Sequence, residues 1–223
     1  MMKPSLATLT IGQSPRSDIL PLLQEHLPAD AVAHTGLLDG LTLAEVEQLY
    51  APAPSDKVLV SRMSSGEQVR LAAATVEQGL QRKITALEQQ GYDTILLLCT
   101  GEFGTLKTTS ALLLEPDRII PPLVSAIVQA HKIGIVVPVE EQIAEQASKW
   151  RNLQSTPCFA VASPYLAQQS ELIEAGLLCR SRALMWWCST VSVITRNTAI
   201  SCRKCWAFLC CCRMCWWRNW RLN

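Results

Sequence analysis

Residues 91–104 read Gly91-Tyr-Asp-Thr-Ile-Leu-Leu-Leu-Cys-Thr-Gly-Glu-Phe-Gly104, and the fold is read outward from them. From Thr94 to Leu98 the run is unbroken and apolar. Bounded by Gly91 and Gly101, it predicts a strand buried on both faces of a parallel sheet. Cys99 and Thr100 then fall at the carboxyl end of that strand, and Gly101 and Gly104 loosen the loop that follows. In open α/β sheets ligands bind at that end of the strands. A thiol there suits a nucleophile or a proton carrier. It equally suits a small buried hydrophobe, since free cysteine is among the most buried residue types.

Upstream, Val76, Leu80, Ile84 and Leu87 recur at helical spacing, so residues 74–90 form an amphipathic helix leading into the strand. Lys57 to Met63 reads as a strand, Ser64-Ser-Gly66 as a turn, and residues 67–73 as a short strand that pairs back. Ala31 to Leu38 is a strand; Leu41 to Tyr50 is a helix with Thr42 as its cap. At the start, Leu6 to Ile11 is a short strand followed by the turn Gly12-Gln-Ser-Pro-Arg16. Ser17 is a suitable N-cap and Asp18 a suitable first-turn acid for a helix over 18–27, with Ile19, Leu22 and Leu23 on one face. That strand-turn-helix opening puts Gly12, Gln13, Ser14 and Arg16 where backbone amides converge, a natural anion site. Arg16 has the planar fork for a bidentate carboxylate, or is a solvated surface charge.

Downstream, residues 105–115 are ambiguous. A helix is expected from Pro122 to about His131, since proline is tolerated in a first helical turn. Lys132 to Val137 is a strand, 139–151 a helix, Pro157 to Ala162 a strand, and 165–175 the start of a helix. Strand and helix alternate, so the class is α/β with a mainly parallel sheet and flanking helices. The strands 6–11, 94–99, 132–137 and 157–162 are expected in one sheet, with Gly12 and Cys99 at the same edge.

Composition divides the chain. All nineteen Asp and Glu lie at or before Glu174, whereas 180–223 carries eight basic residues and no acid. Eight of the ten Cys and six of the seven Trp lie from Cys179 onward. One domain rarely changes chemistry so abruptly. Cys202-Arg-Lys-Cys205 and Cys212-Arg-Met-Cys215 have knuckle spacing, but the six residues between them are too few for a zinc ribbon. A disulfide framework needs an oxidising compartment, and Met1 to Thr10 contains no signal-peptide h-region, so a cytoplasmic location is expected. A basic, Trp-rich tail suits nucleic acid or a membrane surface, yet its tryptophans follow no structural period.

The genetic code supplies a better account. Read from the third base of each codon, Met185-Trp186-Trp187-Cys188 must encode Val-Val-Val. By the same rule Cys210-Cys211-Cys212 must encode Leu-Leu, and Met214-Cys215-Trp216-Trp217 must encode Val-Leu-Val. With permitted codons, Leu184 to Ile194 reads Asp-Val-Val-Val-Leu-Asp-Cys-Leu-Gly-Tyr-His, a buried strand ending in a cysteine and a glycine turn. The tail is therefore read as out of frame, entered between Gly176 and Ala183. Residues 1–176 are the α/β region, and 177–223 an aberrant segment without a stable fold.

Leu9-Thr-Ile-Gly-Gln-Ser-Pro-Arg16, Glu115-Pro-Asp-Arg-Ile-Ile-Pro121, Ile120-Pro-Pro-Leu-Val-Ser-Ala-Ile127 and Gly134-Ile-Val-Val-Pro-Val-Glu-Glu141 together resemble the AroM family over residues 5–176. That family is named for its gene's association with aromatic amino-acid biosynthesis and has no established reaction. It is similar in turn to the aspartate/glutamate and hydantoin racemases. The resemblance therefore implies a two-lobed fold, here with an incomplete second lobe, and one cysteine at a strand end in each lobe. It implies proton transfer on a small carboxylate linked to shikimate metabolism, with no metal or organic cofactor. Cys99 is the candidate catalytic residue, and Gly12, Gln13, Ser14, Arg16, Thr100 and Gly101 are candidate substrate contacts. Thr190 and Val191 stand where the shifted frame has its cysteine, so this copy is expected to be inactive. A non-catalytic metabolite-binding protein is the alternative, and a tail-driven zinc or nucleic-acid module the weakest reading. The expected partner is a small carboxylate, with a homo-oligomer compatible and neither nucleic acid nor membrane involved.

Overall fold

The computed structural model describes residues 5–131, 133–137, 140, 143–162 and 186–189. The chain divides into two units, Met1–Asp117 and Arg118–Asn223. It is α/β with mainly parallel sheets and flanking helices. The first unit is built on β1 (Leu6–Thr10), α1 (Leu20–Gln24), β2 (Val32–Gly36), α2 (Leu43–Tyr50), β3 (Val58–Arg62) and β4 (Gln68–Ala72). It continues with α3 (Ala73–Gln89), β5 (Thr94–Leu97) and β6 (Leu112–Leu114). Its four-stranded sheet has the order β2-β1-β5-β6, with every neighbouring pair parallel. The order runs outward in both directions from the β1–β5 pair, which makes that pair the topological switch point of the sheet.

The reasons for these elements are local. Ile95 and Leu97 are fully buried on one face of β5 and join the core with Ala7, Leu9, Val76, Leu80 and Ile84. Leu96 and Leu98 turn to the other face, against Ile19 and Leu23. Thr42 and Glu45 form a capping box that starts α2. The Thr42 amide and hydroxyl hold the Glu45 carboxyl below its ordinary pKa. The pairing of β3 with β4 is antiparallel, through a turn whose Gly66 has φ of 99°.

The second unit contains most of α4 (Pro116–Val128), then β7 (Ile133–Val137), α5 (Ile143–Lys149), β8 (Cys158–Val161) and β9 (Trp186–Ser189). Its sheet has the order β8-β7-β9, all parallel. Ile133, Ile135 and Val137 pack with Val124, Val128 and Trp150.

The structure corrects the sequence reading in several places. The strands expected in one sheet belong to two. The helix expected over 18–27 is only the five residues Leu20–Gln24, with Ile19 rather than Ser17 at its cap and no side-chain cap bond. The helix expected from Pro122 begins at Pro116 and carries Pro121 and Pro122 inside it. Pro116 takes the first turn, where no amide bond is needed. The two internal prolines lack the N–H groups that would bond to the Asp117 and Arg118 carbonyls. Within 105–115 lies β6, too short to show a period. From the tail the structure describes only β9, in register from Ile133–Trp186 to Val136–Ser189.

Candidate functional site

The carboxyl ends of β1 and β5 meet in register. Leu9 faces Leu97, and the next amide, Leu98, donates to the Leu9 carbonyl at 2.7 Å. The chain beyond each strand therefore starts from the same edge: Gly12 to Arg16 after β1, Cys99 to Gly101 after β5. Gly12 and Cys99 are brought to one end of adjoining strands, as expected.

Cys99 is 8% exposed and sits in the main core cluster with Leu59, Met63, Phe103 and Leu106. The Gly101 amide donates to its Sγ at 3.3 Å. An amide proton aimed at sulfur supports negative charge there. A Cβ on Gly101 would lie 3.1 Å from Leu59 Cδ2 and 3.4 Å from Cys99 Sγ, so the turn passes close beneath β3. Thr100 lies between them, half-buried.

The turn after β1 is held differently from the expectation. Gln13 uses both ends of its amide inside the fold. Its Nε2 donates to the carbonyls of Leu38 and Leu41 at 3.2 and 2.9 Å. Its Oε1 accepts from the amide and hydroxyl of Ser64 at 2.8 and 2.7 Å. The Ser14 amide and hydroxyl donate to Asp39 at 2.6 and 2.7 Å, and the Gly36 amide joins the same carboxylate at 2.6 Å. Arg16 makes a two-toothed pair with Asp18 at 2.8 and 2.6 Å. The anion site read from the sequence thus has its donors engaged by the chain's own carboxylates and carbonyls. The helix behind it is also too short to act as an N-terminal anion site. Gly12 serves close packing: a Cβ there would meet Ser61 Oγ at 2.6 Å and the Arg62 carbonyl at 2.7 Å.

The loop after Cys99 is fastened to α3 rather than loosened by its glycines. Glu77 accepts from the Thr105 amide and hydroxyl, and Gln81 exchanges two bonds with Lys107. Glu88 accepts from the amides of Thr109, Ser110 and Ala111 at 2.7, 2.7 and 3.0 Å. Those amides, Ser110 and Ala111 foremost, lower the Glu88 pKa.

Two residues at this edge escape the sequence reading as site residues. Asp39 organises the β1 and β2 turns, and its partner Ser14 lies 25 residues away in the chain. Glu115 follows β6 with 3% exposure and is engaged within the fold. Its sequence signals are its place at the head of the Glu115–Pro121 motif and an acid directly after three leucines, neither of which gives it a role. A second cysteine, Cys158, opens β8 and so stands at the amino end of its strand, the wrong end for a ligand site. Among the described residues no group of three or more His, Cys, Asp or Glu is placed to hold a metal ion, and no helix is long and apolar enough to cross a membrane.

A family model described as AroM protein matches residues 6–184. No curated protein matches the chain. Among solved structures, the aspartate racemase of Picrophilus torridus is similar at 9% identity and a TM-score of 0.47, over 87% of this chain and 86% of that one.

Proposed function

The chain belongs to the AroM family, and on that premise we propose that its first unit carries a single-thiol site for a small carboxylate, with Cys99 as the proton-transfer group. The supporting observation is the Gly101 amide on Cys99 Sγ, at the edge where β1 and β5 end together. In the reaction the Cys99 thiolate takes the α-proton and becomes a thiol. The electron pair of the broken C–H bond moves into the carboxylate as an enediolate, and the proton then returns to carbon. A single thiol returns it to the face it came from, so configuration is kept. Inversion requires a second acid on the opposite face. The racemases this family resembles use a second cysteine for that role, and here Thr190 and Val191 stand in its place. As encoded, the chain exchanges an α-proton at most and does not racemise. This reading uses no cofactor or metal, and it includes the link to aromatic amino-acid metabolism, a cytoplasmic location and a homo-oligomer compatible with the fold. Nucleic acid and membranes have no part in it.

One observation favours a non-catalytic binding protein instead: the polar groups of the β1 turn are consumed by the fold. Iodoacetamide labelling of the full chain at neutral pH, mapped by peptide mass spectrometry, separates the two. The catalytic reading expects Cys99 to be alkylated faster than the more exposed Cys158, because thiolate rather than access sets the rate. A Cys99 that stays inert while Cys158 reacts would overturn it.

A further inference from the structure

Between α2 and α3 of the first unit lies a groove of about 470 Å³, within the ordinary range for small-molecule sites. Leu37, Leu41 and Leu49 give it apolar walls, and Tyr50, Arg82 and Lys83 supply its donors. Tyr50 closes α2 and is only 9% exposed, yet its hydroxyl makes no hydrogen bond among the described residues. That hydroxyl opens onto the groove rather than into the core, where it is available to a ligand's acceptor. Lys83 is half-buried and Arg82 exposed, and neither forms an ion pair among the described residues. The groove's one carboxylate, Asp39, is committed to Ser14 and Gly36.

Gly79 explains how the groove stays open. A glycine inside a helix is destabilising relative to alanine, so its place in α3 asks for a packing reason. A Cβ there would lie 2.6 Å from Leu37 Cδ1 and 3.3 Å from Tyr50 Oη. The missing side chain brings α3 close against Leu37 without covering the tyrosine hydroxyl. Three donors thus line the groove beside an apolar wall, and its one carboxylate is already engaged elsewhere.

We propose that this groove binds an organic monocarboxylate with a compact apolar body. The carboxylate lies among Tyr50, Lys83 and Arg82, and the body lies on Leu37, Leu41 and Leu49. The site is separate from Cys99 and stands whether or not that thiol is catalytic.

Benzoate titrated into the full chain, followed by saturation-transfer NMR, tests it. Saturable binding is expected, with benzamide, the neutral isostere, giving none. Tyr50→Phe should weaken benzoate about fivefold and Lys83→Gln about tenfold. Far-UV circular dichroism should be unchanged in both variants, and Cys99→Ala should leave the affinity as it was. Benzoate that fails to saturate, or binds both groove variants as it binds the parent, overturns the proposal. So does a Cys99→Ala variant that loses benzoate, which would place the ligand elsewhere. Inorganic phosphate competing as tightly as benzoate would remove the apolar wall from the argument and overturn it too.

Discussion

Asp39 accepts from both the amide and the hydroxyl of Ser14, at 2.6 and 2.7 Å. Through its third bond, from the Gly36 amide, it ties the turn after β1 to the turn after β2. One carboxylate thereby sets the edge at which Cys99 also emerges. Asp39→Ala strands two amides and a hydroxyl in a half-buried place. Bonds to a charged acceptor are worth more than neutral ones, so the expected loss is about 2–4 kcal/mol in urea unfolding of the full chain. Asp39→Asn keeps one acceptor oxygen and should lose less. Equal losses from the two variants would mean the charge contributes nothing.

Gly36 is required by space. A Cβ there would stand 2.5 Å from the Gly12 carbonyl, 2.6 Å from Asp39 Oδ1 and 2.8 Å from the Ser14 amide. Backbone on two sides leaves nothing flexible to yield, so Gly36→Ala should cost about 2 kcal/mol or more. Gly104 is the control, since a Cβ added to it meets no atom within 4 Å. Gly104→Ala should change the midpoint of denaturation little. The pair is read from melting curves of the same preparation. A Gly36→Ala protein as stable as the parent would refute the packing described for the two turns.

These two sites mark how far the sequence could be read. The apolar run ending at Leu98 is dense enough to identify β5, and Thr42 as a cap announces α2, because both signals are contained within a few residues. Gly12 and Cys99 meet as expected because strand ends in a parallel sheet share an edge. The roles of Gln13, Ser14 and Arg16 were not legible. Whether a turn's donors face a ligand or the fold depends on Asp39 and Ser64, which reach the turn only after β2 and the β3–β4 hairpin are in place. Pro121 and Pro122 misplaced the start of α4 because Pro116, the actual first-turn proline, precedes them. β6 escaped because three leucines carry neither helical nor strand period.

Glu88 makes the loop that leads to β6 sensitive to acid. Its pKa is lowered in the folded chain from the ordinary 4.5, chiefly by the Ser110 and Ala111 amides. A depressed carboxylate contributes its stabilisation above the unfolded value and loses it as pH falls through the folded one. Hydrogen-exchange protection of residues 109–111 should therefore hold at neutral pH and decline below the ordinary carboxylate value. Glu88→Gln should lower the protection at neutral pH and flatten the decline. Protection that falls equally in the parent and in Glu88→Gln would assign the effect to another group.

The final expectation concerns the second thiol. Strand β9 ends at Ser189, pairing parallel with β7. In the third-base frame Trp186 to Ser189 becomes part of an apolar strand, and the cysteine falls where Thr190 and Val191 stand, directly after that strand in the chain. Parallel sheets bind ligands at the carboxyl ends of their strands, and the shifted frame supplies a second thiol directly after such a strand in the sequence. We propose that a chain with this frame restored from about residue 180 inverts a small chiral carboxylate that the encoded chain leaves unchanged. Both proteins are incubated in deuterium oxide with a panel of such acids, followed by NMR for exchange and chiral chromatography for inversion. Inversion should appear only in the restored chain and vanish with Cys99→Ala. Sequencing the DNA for residues 170–185 tests the premise separately. A confirmed frame, together with a soluble encoded chain whose residues 180–223 resist protease, would sink the shifted-frame reading.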